Sequence, residues 1–160
     1  MRPSSTNTGS WANSSIRTYL HGTFYQSLPE QLKDHLAVVS KRQQKGRTDS
    51  FGYQQTSETV FLPGFFEVYG ARGGYDYSFY NYNADETYAK GSFQYQTFLG
   101  GNDGTTFNRT AAKKLNGQAK AWWCRSSGMD AASYLLVNAT GERYSHVASG
   151  TFGVVPCFCL

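Results

Sequence analysis

Apolar residues recur three and four apart at Ile16, Tyr19, Leu20 and Phe24, with Arg17 and Thr18 falling outside the stripe. That spacing predicts an amphipathic helix with one buried face, capped by Asn13 or Ser14 and loosened near its end by Gly22. A second helix is predicted to follow. Ser27 is a fitting cap, Pro29 falls in the first turn where its missing N–H does no harm, and Glu30 sits near the positive end of the dipole. Leu32, Leu36 and Val39 form its inner stripe, and His35 beside them reads as a partly buried side chain rather than a catalytic base.

From residue 37 the pattern shifts toward strand. Val38 and Val39 lead into the basic run Lys41-Arg42-Gln43-Gln44-Lys45-Gly46-Arg47, read as a solvated loop, and residues 50–57 form a polar connection. Thr59-Val60-Phe61-Leu62 is the clearest short strand of this half, stopped by Pro63-Gly64. Phe65-Phe66-Glu67-Val68-Tyr69 reads as one helical turn or a short helix ending at Gly70. Glu67 among these apolar neighbours is either exposed on the turn or paired inside, because an isolated buried carboxylate is costly.

Residues 70–104 are the least regular. Tyr75, Tyr77, Phe79, Tyr80, Tyr82, Tyr88, Phe93, Tyr95 and Phe98 alternate there with Asn, Asp and Gly. Two readings stand: the rings pad a loop-rich domain, or some of them, Tyr80 and Tyr82 among them, wall a recognition surface, since Tyr gives large contact area at low entropic cost. Residues 105–120 read as an exposed basic bridge. Ala121-Trp122-Trp123-Cys124 then predicts a strand whose two indoles point to opposite faces. Arg125 reads as a structural pin that hydrogen-bonds backbone carbonyls or a carboxylate such as Glu67. Further strands are predicted over 134–138, 143–148 and 153–160, joined as antiparallel neighbours by short turns.

Composition narrows the class. A chain of 160 residues fits one domain, here 11–160 behind a flexible polar arm at 1–10. Aromatics at 16% and 17 glycines, against only 16% charged residues, suit strands, turns and a Tyr-rich surface better than a helical bundle. The net charge of +4 is spread along the sequence, so no nucleic-acid partner is expected. No apolar run reaches a membrane span and the polar start is no signal peptide, so neither membrane insertion nor an anchor is expected; the abrupt opening before Trp11 is consistent with a segment excised from a longer polypeptide. Cys124, Cys157 and Cys159 read as small buried hydrophobes in a reducing interior. Cys157 and Cys159 lie two apart on one strand, poorly placed to bridge each other, although Cys124 could reach one of them.

Four ordered segments carry a family resemblance. Ser10-Trp11-Ala12-Asn13-Ser14-Ser15-Ile16-Arg17-Thr18-Tyr19-Leu20 resembles the "W-x-x-S-x-(I/M)-R-x-W-L-N" opening of bacterial and phage proteins of the DUF6273 group. Thr59-Val60-Phe61-Leu62-Pro63 with Glu67-Val68 resembles its central segment. Trp122-Trp123-Cys124-Arg125-Ser126-Ser127 is similar to its "W-W-L-R-S-P", and Gly153-Val154-Val155-Pro156-Cys157-Phe158-Cys159-Leu160 to its closing motif. Ser127 departs from Pro, Tyr19 and His21 from Trp and Asn, and Val155 from Arg, which weakens assignment to a particular subgroup.

The resemblance implies an α+β, C-type-lectin-like fold: two N-terminal helices packed on small antiparallel sheets, with many loops. It is an architecture shared with formylglycine-generating enzymes and with the variable ligand-binding proteins of diversity-generating retroelements. Similar phage proteins serve as receptor-binding or tail-associated proteins, which implies a virion or bacterial cell-surface location. In the variable proteins the substitutions gather between the Trp-Arg-Ser strand and the last strand, here 127–151. The Glu-Pro-Asn or Gln-Pro-Asp and Trp-Asn-Asp sequences of calcium-dependent lectins do not occur, so no metal or other cofactor is expected.

No His-Glu-x-x-His, nucleophile elbow or phosphate loop is present, and His21, His35 and His146 fall in unrelated segments. The expectation is therefore a non-catalytic module that binds a protein or cell-surface ligand through Met129, Asp130, Tyr134, Leu136, Asn138, Arg143, Tyr144, His146, Tyr80 and Tyr82. Tyr134, Leu136 and Asn138 are expected to point outward from one strand face, over a scaffold held by Trp122, Trp123, Arg125 and Glu67. The alternatives are a structural virion or assembly subunit, with homo-oligomer contacts, and a thiol enzyme using Cys157 and Cys159.

Overall fold

Ser14 caps the first helix, its hydroxyl accepting a bond from the Arg17 backbone N–H, and that helix (α1) runs over Ser15–Tyr19. It continues through a π-helical turn, Leu20–Phe24, around Gly22 into a last turn, Tyr25–Ser27. The second helix, α2, is only Glu30–Lys33, with Pro29 at its N-cap. These coordinates come from a computed structural model that describes residues 8–45, 53–70, 94–101, 107–128 and 130–160, with the backbone alone for Gln44 and Tyr53. The fold is mixed α+β, with a few short helices and small antiparallel sheets.

Two expected loops are a hairpin. Strand β1 (Val39–Gln44) pairs with β2 (Tyr53–Glu58) in antiparallel register, Val39 opposite Glu58 and Lys41 opposite Thr56. Burial alternates along β2 as a half-covered sheet requires, with Gln54, Thr56 and Glu58 inward, and their counterparts on β1 are Val39, Lys41 and Gln43. Because all of these but Val39 are polar, the period of two does not show as hydrophobicity. The expected strand at residues 59–62 shrinks to one bridge, Phe61 to Cys157. Helix α3, Phe65–Tyr69, forms as predicted and ends at Gly70, whose positive φ suits glycine.

The expected bridge at 105–120 contains a second hairpin, β3 (Lys113–Leu115) and β4 (Gln118–Lys120). Asn116 and Gly117 turn it with positive φ at both positions, the requirement of a type I′ turn.

The third sheet organises the core. β5 (Trp122–Ser127), β6 (Ser133–Val137) and β7 (Arg143–Val147) lie side by side, antiparallel, with β6 in the middle. Alternation sends Trp122, Cys124, Leu135 and Val137 to one face, where Phe65, Val68, Tyr69, Phe98 and Ala111 cover them. Trp123, Tyr134 and Leu136 go to the other, with Trp11, Leu20, Val60, Phe61 and Leu62. The two indoles do take opposite faces.

The same covering overturns the expected outward Tyr134 and Leu136: they are 0% and 1% exposed, because β6 is the central strand and both of its faces are packed. Tyr19, placed on the inner stripe of α1, is instead exposed. The C-terminal segment is extended but is no regular strand. Gly153 bridges Trp122 in parallel, Cys157 bridges Phe61, and Cys159 bridges Ala37, so its bonds go to three different partners and no ladder forms.

Candidate functional site

Two buried carboxylates hold the scaffold. Glu67 enters from α3, and the Arg125 guanidinium donates to both of its oxygens, at 2.9 Å from Nη2 to Oε1 and by a shorter contact from Nη1 to Oε2. The Gly64 N–H donates to Oε2 at 2.7 Å and Lys41 Nζ to Oε1 at 3.1 Å. Arg125 Nη1 also reaches the Leu62 carbonyl at 2.8 Å. A Cβ on Gly64 would stand 3.0 Å from the guanidinium carbon, so the glycine makes room for this approach. Burial by itself would raise the Glu67 carboxyl, but the charge and hydrogen bonds of Arg125, with Lys41 and the Gly64 N–H, outweigh it and bring the pKa down to about 2. Lys41 lies 4.2 Å above the Phe61 ring centre and donates to the Tyr95 hydroxyl, so it is a core cation and not part of a solvated loop.

Glu58 anchors the opening motif. Trp11 Nε1 donates to its Oε1 at 3.0 Å and Arg17 Nε to the same atom at 2.8 Å, while His21 Nε2 touches Oε2. Burial works to raise this carboxyl, and the hydrogen bonds from Thr56, Arg17, Trp11 and His21 leave it lowered. Trp11, Arg17 and His21 therefore share one task, which is to fix the N-terminal helix to the end of β2, while Ser14 caps that helix.

The window 127–151 divides sharply between core and surface. Ser127 and residues 133–137 are buried. Asn138 is half-buried, and its side chain builds the turn into β7: Oδ1 accepts from the N–H of Thr140 and of Glu142, both at 2.9 Å, and from the Thr140 hydroxyl at 2.7 Å. Gly141 in that turn has a φ of 97°, and its carbonyl accepts from the Asn108 N–H and the Tyr69 hydroxyl. A Cβ there would meet the Asn108 carbonyl at 2.2 Å, so only glycine fits.

On β7, Tyr144 pairs across with Leu136 and His146 with Tyr134, sharing their face. Tyr144 lies beyond the core and is 60% exposed. His146 stands half-buried, its ring 6.5 Å from Trp123 and 4.9 Å from Phe152. Arg143, on the other face, is half-buried, while Asp130, Ser145 and Val147 are exposed. Met129, Tyr80 and Tyr82 lie outside the described residues, as do most rings of the Tyr-rich stretch; of those described, Phe98 is buried and Tyr95 half-buried. The structure thus keeps Tyr144 and His146 together on one face of the outer strand, with Arg143 and Ser145 on the other, and withdraws Tyr134 and Leu136.

The fold also forms a concavity that no sequence pattern marks. A cleft of about 580 Å³ lies between the β3–β4 hairpin and residues 151–155, lined by Leu115, Ala119, Ala121, Phe152, Val154 and Val155 with Lys113, Lys114 and Lys120. Asn116-Gly117 between two short runs was the available signal for the hairpin, although nothing in the sequence shows that it faces the terminal segment.

The thiols are free. Burial pushes Cys124 well above its ordinary range and Cys157 up to about 11, which leaves little thiolate at neutral pH. Among the described residues no group of three or more His, Cys, Asp or Glu side chains could hold a metal ion, and no helix is long and apolar enough to cross a membrane.

The chain belongs to the family described as domain of unknown function DUF6273, whose family model matches residues 1–160. No curated protein and no solved structure matches it.

Proposed function

We propose that this DUF6273 domain is a non-catalytic binding module. It presents strand β7 and its flanking turns to a protein or cell-surface ligand, as a phage tail-associated or bacterial surface-binding protein with a C-type-lectin-like fold. The observation that carries this reading is the pairing of Leu136 with Tyr144: two residues opposite each other on one sheet face, the first 1% and the second 60% exposed. Within one strand step the window passes from core to surface at Tyr144, so that side chain can vary without disturbing the packing behind it, whereas His146 on the same strand rests against Trp123 and Phe152. The resemblance of the opening, central, Trp-Trp and closing motifs to the DUF6273 group, which implies an architecture shared with variable ligand-binding proteins, supports the same assignment, and the raised thiols of Cys124 and Cys157 speak against a thiol enzyme.

The test uses fluorescently labelled domain and whole bacterial cells from a panel of strains. Saturable binding to at least one strain is expected, with loss in a Tyr144→Ala, Ser145→Asp, His146→Ala variant whose unfolding curve remains native-like. Binding to no strain, or binding unchanged in that variant, overturns the proposal.

One observation favours a second reading, a structural virion or assembly subunit of the same fold. Val38, Phe158 and Leu160 are exposed beside the bridge between Ala37 and Cys159. Sedimentation showing a tight oligomer that is dissolved by Val38→Asp, with no cell binding, would select it.

A further inference from the structure

Strand β7 is the outer strand of its three-stranded sheet. The Asn138 N–H donates to the Glu142 carbonyl at 2.7 Å and the Ala148 N–H to the Ala132 carbonyl at 2.8 Å. Both pairs lie on the register that sets Val137 opposite Arg143 and Ser133 opposite Val147. Opposite pairs in an antiparallel ladder alternate between bonded and non-bonded. Tyr144 and His146 therefore direct their backbone groups at Leu136 and Tyr134, while Ser145 and Val147 turn theirs away from β6. Both of these residues are exposed.

The open stretch is bounded at both ends. Phe107 bridges Glu142 and the Asn108 N–H donates to the Gly141 carbonyl, so the edge is already paired where β7 begins. At the other end the Val147 carbonyl accepts from the Gly150 N–H. What remains is the Ser145 N–H, the Ser145 carbonyl and the Val147 N–H, none of which has a hydrogen-bond partner among the described residues. Residues two apart on a strand repeat at about 7 Å, and an extended peptide backbone offers its own carbonyls and N–H groups at that same repeat. Exposed edges are blunted by proline, lysine or a bulge. Ser145-His146-Val147 carries none of these, and the irregular register of the sheet falls between Trp123 and Ser127, on the far strand.

We propose that β7 recognises a protein partner by strand addition: an extended segment of the partner pairs its backbone with Ser145 and Val147 and lengthens the sheet by one strand. Strand addition rests on β7 being the recognition surface, and it narrows the ligand to a polypeptide with an open backbone edge. Backbone bonds supply affinity, and the side chains that flank them, Tyr144 and His146 on one face, select among partners.

Ser145→Pro tests it, because proline deletes the outward N–H and blocks the edge without removing a bond to β6. In the cell-binding assay Ser145→Pro should lose about tenfold or more in affinity while Ser145→Ala binds within about twofold of the parent, and both should keep the parent's unfolding curve. A second measurement needs no variant. In the free chain the Ser145 and Val147 amides should exchange about tenfold or more faster than those of Tyr144 and His146. The peptide KTVTVTK should slow those two amides, and its N-methylated counterpart, which lacks the backbone donors and cannot approach an edge, should slow neither. Full binding by Ser145→Pro alongside loss in the Tyr144→Ala, Ser145→Asp, His146→Ala variant removes strand addition and keeps β7 as the recognition surface. Protection by the peptide with binding to no strain removes the cell-surface ligand and keeps the edge as a peptide site. Equal loss in Ser145→Ala and Ser145→Pro, or a peptide that leaves both amides unchanged, overturns the proposal. So does sedimentation showing a dimer of the domain that Ser145→Pro dissolves, which would assign the edge to a second copy.

Discussion

Arg125 grips both oxygens of Glu67 across 58 residues of sequence, tying the strand that carries the tryptophan pair to the short helix after Gly64. Both partners are buried, and Lys41 brings a second cation to the same carboxylate. Taking one partner away leaves a buried charge without its counter-ion, which is far more damaging than replacing the whole pair. Glu67→Gln or Arg125→Met should each lose about 3–5 kcal/mol of unfolding free energy in urea. The double variant should lose less than the sum of the two. An additive double variant would show that the pair does not act as a unit.

The same carboxylate sets an acid limit. Its pKa is about 2 in the folded protein and 4.5 as the ordinary value, so the unfolded chain takes up a proton first as the pH falls. The stabilisation is fully present above pH 4.5 and disappears as the pH drops through about 2. It amounts to something on the order of 3 kcal/mol, and Glu58, also lowered, acts in the same direction. Urea unfolding at a series of pH values across that window should show stability declining with acid, with a shallower decline in Glu67→Gln. Equal slopes in the two proteins would remove Glu67 from the account.

What the sequence makes legible follows from how far each interaction reaches. The Ser14 cap, the Phe65–Tyr69 helix and the opposite-facing Trp122 and Trp123 rest on local rules, and they appear as read. Glu67 as a partner for Arg125 could be inferred because a carboxylate in an apolar run needs a cation. The β1–β2 hairpin was hidden because its inward positions include Lys41, Gln43, Thr56 and Glu58, whose burial depends on partners brought in from other elements. For Tyr134 and Leu136 both the strand and its burial are legible: Tyr134-Leu135-Leu136-Val137 is a continuous apolar run, the mark of a strand covered on both faces, and the expected outward face runs against it.

Glu58 predicts the behaviour of the N-terminal helix. It receives Trp11 and Arg17 at hydrogen-bond distance and touches His21, so three elements of the opening motif meet on one carboxylate. Glu58→Ala leaves the Trp11 indole N–H without its acceptor, at a cost of about 1–3 kcal/mol. The loss should be local: amide exchange across 11–27 should accelerate while β5 and β6 keep their protection. Uniform acceleration throughout the protein would mean that the motif is part of the global core instead.

Thiol chemistry gives an independent reading of the terminal segment. Burial, reinforced by Glu67, raises the Cys157 thiol from 9.0 to about 11, so at a given pH near 8 the folded protein holds roughly a hundredfold less thiolate there than the unfolded chain. Iodoacetamide should label Cys157 about a hundredfold more slowly in the native protein than in urea, and Cys124, fully buried, more slowly still. Peptide mapping after timed quenching measures both rates. Fast native labelling of Cys157 would revive the thiol-enzyme alternative.

The partition of the 127–151 window can be tested with two residues that face each other. Leu136 lies in the core with Trp123 and Tyr134, so Leu136→Ala removes buried methyl groups from a packed site and should cost about 2–5 kcal/mol. Tyr144, its cross-strand partner, is mostly in solvent, and Tyr144→Ala should change stability by no more than about 0.5 kcal/mol. Urea unfolding of both variants gives the comparison directly, and the cell-binding assay gives its counterpart: Tyr144→Ala should lower binding by a protein that is as stable as before. If Tyr144→Ala instead destabilised the protein as much as Leu136→Ala, the outer strand would be a supporting layer. Variation along it would then be limited by folding, and the surface proposed for recognition would have to be sought elsewhere on the domain.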